Sequence, residues 1–134
     1  MISSSIFIGL ERYNFLNKKM KNLLFRNPKD FYQIAVVTGH RFNDYENRLL
    51  EPENFAYAIG YANQVMKKRW PELEKKLLES KSGEYLVKYV ERVLNYKRWP
   101  EAEPYIRQNM NYGFFYAIKA LHMDTEDARK WVKE

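Results

Sequence analysis

The sequence predicts an all-α protein, a short solenoid-like stack of about four helix-turn-helix repeats of roughly 28 residues. Three observations predict it. First, Arg98-Trp99-Pro100-Glu101 repeats Arg69-Trp70-Pro71-Glu72 after 29 residues, and Arg41-Phe42-Asn43-Asp44 is a weaker copy 28 residues earlier. Second, Tyr32, Tyr61, Tyr89 and Tyr116 are spaced 29, 28 and 27 apart. Apolar or small residues follow each of them four and five positions on, at Val36-Val37, Val65-Met66, Val93-Leu94 and Ala120-Leu121, on one helical face. Third, Glu46, Glu74 and Glu103 follow the corner aromatic by four residues, and Leu49, Leu77 and Ile106 by seven. A second, shorter helix therefore begins at each corner.

Taken in order, residues 1–26 read as an N-terminal extension or cap of a single domain spanning 1–134. Leu16, Met20, Leu23 and Leu24 form an apolar stripe able to cover the end of a repeat stack. Met20-Lys21-Asn22-Leu23 also reads as a start, which would make residues 1–19 an upstream extension. Repeat 1 is placed at 27–54. Asn27 caps and Pro28 opens a helix to about Val37, Thr38-Gly39 end it, and a short helix runs from Asn43-Asp44 to about Leu50. Repeat 2 covers 55–83, with a long helix from Phe55 to Lys68, a corner at Trp70-Pro71 and a short helix from Glu72 to Glu79. Repeat 3 covers 84–110. Its long helix runs to about Asn95, and its short helix starts near Glu103, because Pro104 inside a helix begun at Pro100 would cost a hydrogen bond. The degenerate repeat 4 and C-terminal cap take 111–134, with a helix from Asn111 to His122, a capping Asp124, and a last helix carrying Trp131 and Val132.

Composition narrows the function classes. The chain has 46% hydrophobic residues and no long Gly, Pro or Ser tract, as expected of a folded domain. It contains no cysteine, which removes disulfides, thiolate metal sites and cysteine nucleophiles. The run Ile6-Phe7-Ile8 lacks a preceding basic residue and is too short to span a bilayer, so neither a signal peptide nor a membrane partner is expected. The expected location is the cytoplasm.

Several residue groups carry chemistry on paper. Trp70 and Trp99 suit a recognition pair, but their recurrence beside Pro71 and Pro100 favours wedging the inter-helix corner. Arg69 and Arg98 precede Glu74 and Glu103 by five residues, which favours a guanidinium–carboxylate clamp. The pairs Glu72/Glu74 and Glu101/Glu103 resemble general acid/base pairs only in composition; recurring in equivalent environments, they fit the charge preference of helix N-termini, and no catalytic residue is assigned. His40 with Asp44 is too small a set for a metal, so no cofactor or metal is expected. Tyr57-Tyr61 and Tyr112-Tyr116 suit a groove lined with hydroxyls, but at helical spacing they read rather as core residues whose hydroxyls reach water. The net charge of +6 is the main functional pointer. Lys67, Lys68, Arg69, Lys97 and Arg98 recur at one edge of successive repeats as a candidate binding ridge for a phosphate backbone, with basic clusters at Lys18, Lys19, Lys21 and Arg26 and at Arg129, Lys130 and Lys133; the acids Glu72 and Glu101 beside the ridge favour the plainer reading, a solvated surface with lysine excess.

The pattern Tyr-x3-Val-(Leu/Met)-x2–3-Lys-Arg-Trp-Pro-Glu-x-Glu at 61–74 and 89–103 resembles helical repeats with an Arg-Trp-Pro-Glu-Ala-Glu core in small phage and prophage proteins. The resemblance covers roughly residues 27–123 and decays at Phe42-Asn43-Asp44 and Asp124-Thr125-Glu126. It implies a phage origin and a helical array, and it carries over no activity or catalytic residue. The expectation is a non-enzymatic binding protein that inhibits a bacterial defence system in the host cytoplasm, an anti-CRISPR protein being the most concrete version. Its partner would be a host protein such as a CRISPR effector complex or its guide RNA, with no small-molecule substrate. The alternative is a nucleic-acid-binding repeat protein using the basic ridge.

Overall fold

The computed structural model describes residues 27–133, and among these every regular element is helical. The capping stripe expected at Leu16, Met20, Leu23 and Leu24, and the basic cluster at Lys18, Lys19, Lys21 and Arg26, lie outside the described residues. The chain separates into two compact units, one ending at Lys67 and the next beginning at Lys68.

In the first unit, helix α1 spans Pro28–Thr38. The Asn27 side chain accepts the Lys29 N–H at 2.8 Å, and Pro28 sits where a missing amide costs nothing. Gly39 ends the helix at φ 67, a left-handed backbone that glycine adopts without strain. The segment Asn43–Leu50 follows as a helix, wound as 3-10 turns rather than α, and a short turn at Pro52–Asn54 leads into α2, Phe55–Tyr61. The long helix expected to reach Lys68 is interrupted: after Tyr61 the backbone widens into a π turn over Ala62–Met66, closed by Lys67 N–H on the Ala62 carbonyl at 2.8 Å.

One register expectation is corrected here. Tyr32 does not take the place held by Tyr61 in the next repeat; its neighbour Phe31 does, fully buried with its ring 6.1 Å from Phe42 and 5.5 Å from Tyr61. Tyr32 is turned half out onto α2, 5.6 Å from the Tyr57 ring. It fits there because Gly60 has no Cβ; a methyl at that position would meet the Tyr32 hydroxyl at 2.5 Å.

The second unit contains α3 (Pro71–Ser80), α4 (Gly83–Arg92), a 3-10 turn at Pro100–Ala102, α5 (Glu103–Ile106), α6 (Met110–Lys119) and α7 (Thr125–Lys133). The start of α5 at Glu103 puts Pro104 in a first turn, where it removes no intrahelical bond. Side-chain caps start three of these helices: Ser82 accepts from Tyr85 N–H, Asn109 from Tyr112 N–H and Asp124 from Asp127 N–H. The core joins Leu73 and Leu77 of α3, Leu86 and Val90 of α4, the Trp99 corner, and Tyr116 and Ala117 of α6. Helix α7 closes one side, its Trp131 ring stacked 5.7 Å from Tyr116.

A left-handed residue stands two positions before each corner: Gly39 before Arg41, Lys67 before Arg69, Tyr96 before Arg98 and His122 before Asp124. The long helices of repeats 3 and 4 end with widened bonds onto the repeat tyrosine's own carbonyl, from Leu94 to Tyr89 at 3.2 Å and from Leu121 to Tyr116 at 3.3 Å. The period read from side chains is thus also a period in backbone conformation. The all-α fold made of helical repeats stands.

Candidate functional site

The repeated corner is a four-part hydrogen-bonded clamp. Arg41 Nε and Nη2 donate to the two oxygens of Glu46 at 2.9 and 2.8 Å. Arg69 does the same to Glu74 at 2.8 and 2.7 Å, and Arg98 to Glu103 at 3.1 and 2.9 Å. This planar, two-bond pairing is what a guanidinium forms best. A tyrosine from the following long helix completes each clamp: the hydroxyls of Tyr61, Tyr89 and Tyr116 donate to Glu46, Glu74 and Glu103 at 2.5, 2.5 and 2.6 Å. Each hydroxyl also accepts the backbone N–H of the corner aromatic, from Phe42 at 3.3 Å, Trp70 at 3.0 Å and Trp99 at 2.9 Å. A buried amide, a phenol, a carboxylate and a guanidinium thereby satisfy one another, with only the guanidinium reaching solvent to any large extent.

Two expectations change as a result. The hydroxyls of Tyr61 and Tyr116 do not reach water; they are held by carboxylates inside the fold. The members of each acid pair also sit in unlike surroundings, since Glu72 and Glu101 are exposed while Glu74 and Glu103 are clamped. Trp70 and Trp99 are buried in the corners, and Pro71 and Pro100 open the helical turns that follow.

The clamps shape the titration of their members. Burial, then the bond to its glutamate, pushes the hydroxyls of Tyr61, Tyr89 and Tyr116 above the usual tyrosine range. The hydrogen bond to glutamate, ahead of all other influences, raises Arg41, Arg69 and Arg98. Burial works to raise Glu103, but the bonds from Arg98 and Tyr116 outweigh it and hold its carboxyl below the usual carboxylate range. The phenols, with folded values above their unfolded ones, contribute stability that is complete below about pH 10 and is lost as pH rises past that unfolded value. Glu103, depressed in the fold, contributes stability present above its unfolded value and lost as pH falls through the folded one. Absorbance at 295 nm is therefore expected to show these three tyrosines resisting ionisation until one late step that coincides with loss of helical circular dichroism. Ionisation of every tyrosine in a folded chain would contradict the clamp.

The ridge residues fall into two groups. Arg69 and Arg98 serve the clamps, although their side chains remain 54% and 60% exposed. Lys67, Lys68 and Lys97 are exposed and make no ion pair among the described residues. Between residues 68 and 133 there are 14 Lys and Arg against 10 Asp and Glu, so the second unit carries a cationic excess.

The second unit also holds an open groove between α4 and α6, with a volume of about 490 Å³, lined by Val87, Lys88, Glu91, Asn111, Tyr112 and Phe115. Lys88 forms an ion pair with Glu84 at 2.9 Å and lies 5.5 Å from the centre of the Tyr85 ring. Its bond to Glu84 raises its pKa, so it is fully charged at neutral pH. Sequence reasoning offered Tyr112 as a groove residue only as the lesser reading and named none of the other lining residues with it. The lining residues belong to faces of two separate helices. A shallower pocket of about 360 Å³ lies beside Arg107, which donates to the Trp131 carbonyl at 2.9 Å.

Among the described residues, no group of three or more His, Cys, Asp or Glu gathers as for a metal ion, and no helix is long and apolar enough to cross a membrane. Comparison of the chain with protein-family models, with curated proteins and with solved structures finds no match.

Proposed function

We propose that this is a non-enzymatic, phage-type binding protein that inhibits a bacterial defence system by occupying one of its components in the host cytoplasm. An RNA-guided effector or its guide RNA is the most concrete target, which makes an anti-CRISPR role the leading version. One observation carries the reading: one acid of each corner is spent on the scaffold, and lysines face solvent beside it, alongside the exposed Glu72 and Glu101. Glu46, Glu74 and Glu103 each bind an arginine and a tyrosine, whereas Lys67, Lys68 and Lys97 precede the corners with their side chains in solvent. A repeat that locks one acid into each corner and presents lysines is suited to holding a macromolecular surface. The family likeness of the Arg-Trp-Pro-Glu corners to small phage proteins supports the phage setting. The same exposed lysines support a second reading, direct nucleic-acid binding along the ridge.

A tagged pull-down from bacterial lysate, with and without nuclease, separates the two. The inhibitor reading expects one host protein to remain after digestion, as a stable complex. Recovery of nucleic acid alone, with affinity falling steeply in salt and on charge reversal at Lys67, Lys68 and Lys97, would move the function to the ridge.

A further inference from the structure

The groove between α4 and α6 is chemically unlike the ridge. Its walls offer two aromatic faces, Tyr112 and Phe115, one turn apart on α6, with Val87 opposite on α4. Around them stand one cation, one amide and one carboxylate: Lys88, Asn111 and Glu91. A volume of about 490 Å³ lies within the range of pockets that enclose a small organic unit, and a few convergent polar groups on an apolar lining is their usual make-up.

The first unit shows what a closed version looks like. There Tyr57 and Gly60 hold the places of Tyr112 and Phe115, counted from Tyr61 and Tyr116, and Tyr32 lies across them. In the second unit a ring replaces the glycine, and the groove stays open.

We propose that this groove binds single-stranded RNA, one unpaired nucleotide at a time. The base stacks on the Tyr112 and Phe115 rings, the Asn111 amide meets its edge, Lys88 takes the adjoining phosphate, and the Glu91 carboxylate accepts from the ribose 2′-hydroxyl. Aromatic faces beside cations are how single strands are held without reading sequence. Lys88 has the capacity, since an ammonium carries three donors and Glu84 uses one. Arg92, four residues after Lys88, and Lys119, four after Phe115, continue the same helical faces, so the strand leaves the pocket along a cationic path. Glu91 sets RNA apart from DNA, since against a ribose it finds a donor that deoxyribose lacks. The assignment holds whether or not a protein partner exists.

The test is fluorescence anisotropy with a labelled, unstructured cytidine–adenine repeat RNA, its deoxy counterpart, and the full chain. The RNA is expected to bind more tightly than the DNA, and Glu91→Ala to narrow that gap. Tyr112→Ala should weaken RNA binding about tenfold or more, while Tyr112→Phe, which keeps the ring, stays within about twofold. Lys88→Gln should flatten the salt dependence by about 0.7 in log–log slope. Circular dichroism of each variant establishes that it folds, and the half-exposed position of Tyr112 makes folding the expected result. Absence of RNA binding, equal affinity for RNA and DNA, or a Tyr112→Ala variant within twofold of the parent each overturns the proposal. So does loss of binding only on reversal of Lys67, Lys68 and Lys97. If a nuclease-resistant protein partner is lost with Tyr112→Ala while RNA is not bound, the groove docks protein; the inhibitor reading then survives and this one does not.

Discussion

Trp99→Ala is expected to lose about 3–5 kcal/mol of folding stability, read as a shift of the urea midpoint, because it empties a buried site as large as any in the fold. Trp99 is 2% exposed, its ring lies 5.1 Å from Tyr89, and its backbone N–H is the one accepted by Tyr116. The ring fills the angle between the end of repeat 3's long helix and the 3-10 turn at Pro100–Ala102, so truncation leaves a cavity that proline-stiffened backbone cannot close. Trp99→Phe should recover most of the loss, since Phe42 occupies the same address in the first corner with only 4% of its surface exposed. A Trp99→Ala variant with an unchanged midpoint but lost binding would mean that the tryptophan is a recognition residue and that the wedge is misread.

Glu46→Ala is expected to cost about 2–3 kcal/mol, less than the ~3–5 of breaking a fully buried ion pair, because Arg41 remains partly in water once its partner is gone. Glu46 is the most buried of the clamp acids and accepts two bonds from Arg41 and one from Tyr61. Removing it takes from the Tyr61 hydroxyl the carboxylate it donates to inside the fold. Tyr61→Phe alone should cost about 1–3 kcal/mol through the lost bonds to Glu46 and from the Phe42 amide. The double variant should lose less than the sum, by about 1 kcal/mol, since both changes break one shared bond. Strict additivity in a denaturation cycle would mean the two groups do not interact in solution.

Much of this architecture was legible along the chain, because a repeat announces itself by spacing. The Arg-Trp-Pro-Glu corners, the helix restart near Glu103 and the Arg69–Glu74 and Arg98–Glu103 pairs follow from offsets of five residues or fewer, where helical geometry restricts which side chains can meet. The third member of each clamp was not legible in this way. Tyr89 reaches Glu74 across 15 residues and Tyr116 reaches Glu103 across 13. A tyrosine on a helical stripe satisfies the same pattern whether its hydroxyl ends in water or on a carboxylate.

Phe31 and Tyr32 show the same limit at one-residue resolution. Both are aromatic neighbours on α1, about 100° apart around the helix, and periodicity accepts either as the core member. Packing chose Phe31, because its ring meets Phe42, Tyr45 and Tyr61 while Tyr32 finds the bare backbone at Gly60. The groove's full lining lay beyond reach, since Val87, Lys88 and Glu91 join Asn111, Tyr112 and Phe115 only when α4 and α6 pack side by side. The sequence by itself determined the class, the period and the local ion pairs, all of which depend on short-range geometry. Tertiary structure alone decided which hydroxyls became scaffold, which ring entered the core and where an aromatic groove stayed open, because those outcomes turn on surfaces brought together from distant parts of the chain.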